Sequence, residues 1–335
     1  MGFALDTDIN IFPFPGDVSI RLSDNYGGGV RMRKCLFAAM LAAVVPCVAA
    51  AQDAPLREAT PAEKAQRAAV AHAGYRYDDI LWENDRTAHR IYGHALQAIE
   101  PPSSSGIDAW GKRVRWPFMD RQLRTGKQHD DHGEGLDFYN VHSFRGAGGL
   151  GIWHDNKLWV SRNYVRYRIL ASGGDKADFS VEYAPWPVDV VRKVWETRRF
   201  TLPAGTNFTR MESTIGSDSR REMIVAIGIS KRATSATQMG ALTKDAGQAR
   251  MSWWGPADPV KGTMAVAVIV DPTAFAGFAE DYDNYLILVR VQPGRPFVYY
   301  AGAAWDGGPD FKAPADWQAY VDAQLPSFRP LAPGR

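Results

Sequence analysis

The chain has 335 residues and a formal net charge of +2 at pH 7. So small a charge excludes a strongly basic overall field of the kind that attracts nucleic acid or an anionic membrane, and we expect neither as a partner. Eleven tryptophans and 13 tyrosines are many for this length. Such rings form flat stacking surfaces for sugars, and they also fill large β cores.

The first recognisable element is an export signal. Basic residues at 31–34 precede an apolar run at 36–45, and three alanines at 49–51 precede Gln52. A charged region, a short apolar region and an Ala-x-Ala site in this order are typical of a secretory signal peptide. The apolar run is too short to span a membrane. We therefore expect cleavage after Ala51 and a periplasmic or secreted protein.

The position of this signal sets the expected domain organisation. Residues 1–29 precede the signal peptide at 30–51, so we expect them to be an over-extended N-terminus. Both cysteines, Cys35 and Cys47, lie inside the signal. The exported chain would then have no disulfide and no thiol chemistry. Residues 52–335 are expected to form a single β-sandwich, carbohydrate-active domain.

The exported chain is predicted to begin with a helix and to continue as strands. Residues 61–73 are rich in alanine, with Glu63 and Lys64 early, which predicts a short N-terminal helix. Residues 79–92 have a strand-like pattern and carry several charged side chains. Residues 106–148 have little periodicity, and an irregular segment of this length with several tryptophans is typical of a functional region.

From residue 150 onwards the chain predicts antiparallel strands. Two short apolar runs flank Asp155-Asn156, which is a hairpin signal. Period-2 alternation follows without helical patterns between the runs. The strand candidates are 163–170, 179–183, 188–202, 207–215, 222–231, 250–254, 263–270, 285–291 and 297–301. Pro185 and Pro187 predict a break, and residues 316–325 a closing helix. The predicted fold class is all-β, a large antiparallel β-sandwich with short N- and C-terminal helices.

The candidate chemistry is concentrated in one polar segment, residues 128–142. All seven histidines of the chain precede residue 155. Packing gives no reason for this confinement, whereas a site does, because imidazole has the side-chain pKa nearest neutrality. Glycines in the segment let a substrate approach the backbone. The catalytic candidates are His132, Glu134, Asp137 and Tyr139.

These residue types, together with nearby arginines, fit β-elimination from a uronic acid. A base removes the proton α to the carboxylate, while positive charge or hydrogen bonds stabilise the enolate-like transition state. His132 or Tyr139 supplies the base, and Arg86 is among the groups that bind the carboxylate. The candidates for substrate binding are Trp82, Arg86, Arg90, His129, His142, Asn163 and Tyr164.

Other functions stay open at this point. Glu134 and Asp137 are the two carboxylates that a glycoside hydrolase or an epimerase requires, although sequence does not give their separation. A non-catalytic sugar-binding protein is a third alternative, and a polar loop that satisfies its own turns is a fourth. No organic cofactor is predicted. For a divalent metal, the candidate ligands are His129, His132 and Asp131.

The same stretches carry a family resemblance. Residues 82–86 (WENDR), 132–139 (HGEGLDFY) and 146–149 (GAGG) resemble an uncharacterised family of exported bacterial domains, and the similarity extends from Trp82 to Tyr320. Members of that family tend to be encoded in polysaccharide-utilisation clusters beside uronate-degrading lyases. The strands also resemble the galactose-mutarotase-like supersandwich, whose sheets form a concave sugar-binding face. The supersandwich resemblance implies a carbohydrate as ligand and leaves the reaction open. Together with the arginines near the polar segment, the association with uronate-degrading lyases makes an acidic oligosaccharide or polysaccharide the expected partner.

Overall fold

The structure, a computed structural model, describes residues 55–139, 141–231 and 240–328. The predicted over-extended N-terminus and the predicted signal peptide lie outside these residues. In the part of the chain that is described, no helix is both long enough and apolar enough to cross a membrane.

The described chain contains mainly strands and three short α-helices. The helices are α1 (Pro61–Lys64), α2 (Met119–Leu123) and α3 (Pro314–Gln324). The strands of the N-terminal part are β1 (Ala68–Ala73), β2 (Asp79–Asn84), β3 (Ala88–Ile91), β4 (Asp108–Lys112) and β5 (Gly135–Leu136). The remaining strands are β6 (Ala147–His154), β7 (Lys157–Trp159), β8 (Arg166–Ala171), β9 (Lys176–Pro187), β10 (Lys193–Pro203), β11 (Phe208–Ser217), β12 (Met223–Ser230), β13 (Ala241–Asp245), β14 (Arg250–Trp254), β15 (Met264–Val270), β16 (Phe275–Glu280), β17 (Asn284–Val291) and β18 (Pro296–Trp305).

The described strands form three sheets. The first has the order β1-β2-β3-β4-β5, the central one β13-β14-β15-β18-β11-β10-β9-β8, and the third β16-β17-β12-β6-β7. Neighbouring strands within them are antiparallel. All three sheets contribute side chains to one continuous core. The predicted all-β class, with large antiparallel sheets and a closing helix near residue 316, is therefore confirmed.

Strand β15 shows how the central sheet is covered on both faces. Every residue of β15 is buried, so its sequence reads as a continuous apolar run. Alternate side chains point to opposite faces of the sheet. Met264, Val266, Val268 and Val270 join the main core. Ala265, Ala267 and Ile269 pack with Trp317 and Val321 of α3.

The prediction of a helix over residues 61–73 is wrong beyond its first turn. Helix α1 ends at Lys64, and residues Ala68–Ala73 form β1, which pairs in register with β2 from Ala68↔Asn84 to Ala73↔Asp79. Alanine favours a helix only weakly, and tertiary context overrides this preference. Here the small side chains allow β1 to lie close to its neighbours, with Ala68 and Ala73 fully buried.

Other details also differ from the sequence prediction. Strand β9 continues through Pro185 and ends at Pro187, where a break is predicted. The segment 106–148, predicted to be irregular, contains β4, α2 and β5, and strands β13 and β16 are absent from the predicted set. Every residue of β16 is at least partly exposed, which fits a strand at the edge of the third sheet. Its sequence therefore shows no regular alternation of apolar and polar residues.

The pairing of the first sheet determines where charged residues gather. Arg90 pairs with Asp108 across β3 and β4, and Ile80 pairs with Ile91 across β2 and β3. Asp79 at the start of β2 therefore lies beside the end of β3. Asp137 immediately follows β5, which pairs with β4. Three aspartates from distant parts of the sequence are thus brought next to one arginine.

Candidate active site

The largest of the prominent cavities in the described chain lies at this end of the first sheet. Its volume is about 620 Å³, a size typical of ligand-binding pockets. It opens to solvent and is lined by polar and aromatic side chains. Its ionisable lining residues are Arg76, Arg90, Tyr92, Glu100, His129, Asp137, Tyr139, His142 and Lys261.

Arg90 is the centre of a buried ionic cluster in the wall of this pocket. Its Nη2 lies 2.7 Å from Oδ2 of Asp108 and 2.7 Å from Oδ2 of Asp137, and its Nη1 lies 3.8 Å from Oδ2 of Asp79. The guanidinium also lies over the rings of Tyr92 and Trp110, with its carbon 5.0 Å and 5.3 Å from their centroids. The nearby carboxylates hold the pKa of Arg90 well above its ordinary value, so the cluster keeps its cation.

Two carboxyl groups of the cluster are shifted towards their neutral form. Burial raises the pKa of Asp79 to about 7. Burial, with the adjacent charge of Asp137, raises the pKa of Asp108 to about 8. Within the described residues, Oδ2 of Asp79 and Oδ1 of Asp108 have no hydrogen-bond partner. Titratable groups with perturbed pKa values in a cleft are characteristic of functional sites.

His129 presents a basic nitrogen to the pocket. Its Nδ1 lies 2.9 Å from the backbone oxygen of Asp137. A carbonyl only accepts, so Nδ1 carries the proton and Nε2 carries the lone pair. The amide of Gln128 donates to this Nε2 over 3.2 Å. The side chain is 61% exposed, which leaves it accessible to a ligand.

Tyr92 and Tyr139 both line the pocket but differ in what their hydroxyls do. Burial raises the pKa of Tyr92 well above its ordinary value, so its hydroxyl stays protonated at neutral pH. Tyr139 is 1% exposed, and its hydroxyl donates to the backbone oxygen of Gly146 over 3.1 Å. Burial also raises the pKa of Tyr139, which opposes formation of the phenolate that a base requires.

Two further cations border the pocket. Arg76 is 7% exposed, and its Nη2 donates to Oε1 of Glu100 over 2.8 Å. Nζ of Lys261, a half-buried residue, makes no hydrogen bond or ion pair with any described residue. Three cations and two carboxylates therefore face the cavity, and this balance favours an anionic ligand.

The structure brings five of the predicted site residues to one pocket. They are Arg90, His129, Asp137, Tyr139 and His142. It places His132 and Glu134 elsewhere. Nε2 of His132 contacts the backbone oxygen of Lys127 over 3.1 Å, and Glu134 is engaged by Arg121 and by the indole of Trp116.

Four predicted substrate-binding residues have structural roles instead. Trp82 is fully buried between the sheets, stacked on His89. Nε of Arg86 donates a hydrogen bond to Oδ1 of Asn207 over 2.8 Å, and Arg86 does not line this pocket. Tyr164 is buried, and its hydroxyl donates to the backbone of Asp78. Asn163 is also buried, and it holds the pocket wall because its amide donates to the backbone of Gly93 and to Ser103.

The predicted metal ligands do not converge. Among the described residues there is no group of three or more His, Cys, Asp or Glu side chains arranged to hold a metal ion. Asp131 is bound by both terminal nitrogens of Arg113 at 2.8 Å. His129 and His132 each contact a backbone carbonyl.

Sequence reasoning missed six ionisable residues of the pocket and its wall. They are Arg76, Asp79, Tyr92, Glu100, Asp108 and Lys261. Asp79 and Asp108 each begin a strand whose residues are all buried, and only the structure shows that burial. Charged groups at such positions are rare unless they are paired. The other four lie in turns or at strand ends, where their residue types are ordinary.

A family match covers most of the chain. The model described as "Domain of unknown function (DUF4861)" matches residues 48–329. A protein of Formosa agariphila, described as uncharacterized protein P7, is 31% identical over 262 residues, which cover 73% of this chain and 64% of that protein. The chain thus spans less than two thirds of the length of that relative.

Solved structures with detectable similarity are distant. The GH36 α-galactosidase AgaB of Geobacillus stearothermophilus is 10% identical, with a TM-score of 0.34, and the match covers 71% of this chain and 41% of that chain. The 4-α-glucanotransferase of Thermococcus litoralis is 8% identical, with a TM-score of 0.36, covering 72% of this chain and 40% of that chain. Similarity at these values says nothing about ligand or reaction.

Proposed function

This chain belongs to the DUF4861 family of domains of unknown function, and we propose that it is an exported carbohydrate-active protein. Its ligand in this proposal is a saccharide that contains uronic acid, bound in the pocket beside Arg90. The reaction is β-elimination. The predicted signal peptide at 30–51 supports export, and the resemblance to exported domains of polysaccharide-utilisation clusters motivates the choice of a sugar.

One observation carries the proposal. The cavity of about 620 Å³ lies beside a cluster of titratable groups whose pKa values are perturbed, of which Arg90 and Tyr92 line it while Asp79 and Asp108 are buried behind them. The coincidence of a concave pocket with perturbed groups is the physical mark of an active site. The rings of Tyr92 and Phe138 in the lining offer apolar faces to a sugar.

His129 is the base in this proposal. Its Nε2 carries the lone pair because its Nδ1 donates to the backbone oxygen of Asp137, and the substrate displaces the amide of Gln128 from this nitrogen. The carboxylate of Asp137 lies 3.7 Å from the same Nδ1 and stabilises the imidazolium that forms when His129 takes the proton. Arg90 in turn fixes the carboxylate of Asp137. Asp137 therefore orients His129, and Arg90 orients Asp137.

The remaining steps use neighbouring residues of the pocket. The proton α to the substrate carboxylate moves to Nε2 of His129, and its electron pair forms a carbon–carbon double bond. The bond from the β carbon to the glycosidic oxygen breaks, and that oxygen takes the proton from Nε2 of the His129 imidazolium, which returns the base to its neutral form. Arg76 and Lys261 neutralise the charge that develops on the substrate carboxylate.

Geometry favours elimination over hydrolysis by the carboxylates first considered. A hydrolase needs two carboxyl groups on opposite sides of the scissile bond. Glu134 is bound to Arg121 at 2.9 Å and does not line the pocket with Asp137. Asp108 is fully buried behind Arg90, so it is not accessible to a glycosidic oxygen.

The test is an assay of the purified exported chain with pectic, alginate and ulvan-type oligosaccharides. Elimination creates an unsaturated sugar that absorbs in the near ultraviolet, whereas hydrolysis creates reducing ends without that absorbance. We expect the absorbance to rise. Reducing ends alone would replace the lyase with a hydrolase. Binding without either product would indicate a non-catalytic sugar-binding protein. If none of these oligosaccharides binds, the proposal is wrong.

A further inference from the structure

The pocket contains an ion pair between a buried cation and an exposed anion. Nη2 of Arg76 lies 2.8 Å from Oε1 of Glu100. The side chain of Arg76 is 8% exposed, whereas that of Glu100 is 54% exposed. Both residues line the cavity. One partner is therefore fixed in the wall, and the other reaches it from the rim.

The two partners differ in how they are held. Arg76 is buried in a short turn, and its guanidinium lies over the ring of Tyr77 with a separation of 5.3 Å. Among the described residues, the carboxylate of Glu100 makes no hydrogen bond or ion pair other than the one with Arg76. Because its other surroundings are solvent, it can leave at little cost. A buried cation, by contrast, always needs a counter-charge.

The donor capacity of Arg76 is only partly used. Glu100 accepts from Nη2, while Nη1 of Arg76 has no hydrogen-bond partner within the described residues. A guanidinium binds a well-placed carboxylate through two parallel hydrogen bonds. The contact with Glu100 is therefore weaker than the one that a carboxylate in the plane of the guanidinium, bonded to both Nη1 and Nη2, would make.

From this pair we propose that Arg76 is the carboxylate-recognition residue of the pocket and that Glu100 occupies its place when no ligand is bound. The inference rests on the proposed function, and it names the group of the saccharide that is recognised. A uronate carboxylate displaces Glu100 from Arg76, so the two carboxylates compete for one cation. A neutral sugar has no group that competes with Glu100, so the pocket discriminates against it.

Removal of the competing charge gives a direct test. Binding constants are measured by titration calorimetry for the wild type and Glu100→Gln, with galacturonate, mannuronate and glucuronate trisaccharides and with the carboxyl-reduced form of each. We expect Glu100→Gln to bind the acidic sugars about three- to tenfold more tightly and the reduced sugars with unchanged affinity.

A matched variant separates competition from overall charge. Asp175 is 82% exposed and pairs with Arg67 outside the pocket, so Asp175→Asn removes one negative charge without touching the site. It is expected to leave all affinities unchanged. In an Arg76→Gln background, Glu100→Gln should no longer tighten binding, since the cation that Glu100 occupies in the wild type is gone.

The outcomes are distinct for the two proposals. Unchanged or weaker binding of acidic sugars by Glu100→Gln overturns the competition, while the pocket remains a saccharide site. An equal gain in affinity of Glu100→Gln for acidic and for carboxyl-reduced sugars also overturns the competition. If Glu100→Gln binds only the acidic sugars more tightly and no unsaturated product forms, the competition is supported and the proposed lyase activity is rejected. If no acidic sugar binds to either protein, both proposals fall.

Discussion

The ring nitrogen Nδ1 of His129 lies 2.9 Å from the backbone oxygen of Asp137 and 3.7 Å from its carboxylate. One residue thus fixes the tautomer of the imidazole and supplies the negative charge that stabilises its protonated form. The remaining nitrogen, Nε2, belongs to a ring that is largely exposed to the cavity. This relationship makes His129, and not His132, the residue on which proton transfer is proposed to depend.

Replacement of His129 tests this assignment. We expect His129→Ala to lower the rate of unsaturated-product formation by about 10²–10⁴-fold, the usual contribution of a positioned base. Folding should be unaffected, because 61% of the side chain is exposed. The matched control is His132→Ala, which removes an imidazole outside the pocket and should keep the rate within about twofold. Equal losses in the two variants would contradict the assignment.

Removal of the hydroxyl of Tyr139 should affect stability more than turnover. The hydroxyl donates to the backbone oxygen of Gly146, which also accepts from the backbone nitrogen of Ser230. Tyr139→Phe removes one buried hydrogen bond, so the free energy of unfolding should fall by about 1 kcal/mol. Urea denaturation and the ultraviolet assay measure the two effects. A complete loss of turnover in a folded variant would restore Tyr139 as the base.

Replacement of Arg90 should strongly destabilise the fold. Its replacement by methionine leaves Asp108 and Asp137 without their shared cation, and breaking a buried pair costs about 3–5 kcal/mol. The comparison is Arg166→Met. Arg166 is 77% exposed and pairs with Glu182 over 2.8 Å, so this change should cost less than about 1 kcal/mol. Similar urea midpoints for the two variants would show that the cluster contributes little.

His89 should make the fold sensitive to acid. Burial lowers its pKa to about 3 in the folded state, whereas the unfolded chain takes up the proton near pH 6.5. The unfolded state therefore binds more protons between these values, and stability falls as the pH is lowered. The wild-type stability should decline relative to His89→Gln by at most about 1.4 kcal/mol per pH unit. A difference that is constant from pH 7 to pH 4 would refute the buried neutral imidazole.

Asp79 should act in the opposite direction. Burial raises its pKa to about 7, while the unfolded value is near 4. The folded state therefore binds more protons across this window, and its stability falls as the pH rises. Asparagine resembles the protonated acid and does not titrate, so Asp79→Asn should gain stability relative to the wild type from pH 4 to pH 7. Chemical denaturation at four pH values measures this trend, and a flat profile would oppose it.

The candidate site was partly predictable because two of its parts are local in sequence. His129 and Asp137 lie eight residues apart in one polar segment, and Arg90 is a charged residue within the predicted strand-like segment 79–92. The neighbouring His132 and Glu134 were equally plausible from residue type and spacing. Their side chains point away from the pocket because Lys127 and Arg121 bind them. Spacing along an irregular segment does not determine which side chains converge.

The sequence by itself determined the all-β class, the hairpin at Asp155-Asn156 and the closing helix, because alternation and turn residues act over a few positions. Only the tertiary structure decided that Trp82 fills the core. It alone decided that Asp79, Asp108 and Asp137 surround Arg90. These contacts join residues up to 47 positions apart through strand pairing, and burial at that junction raises the pKa values of Asp79 and Asp108. Local patterns contain neither the pairing nor the burial, since both arise only when the sheets pack together.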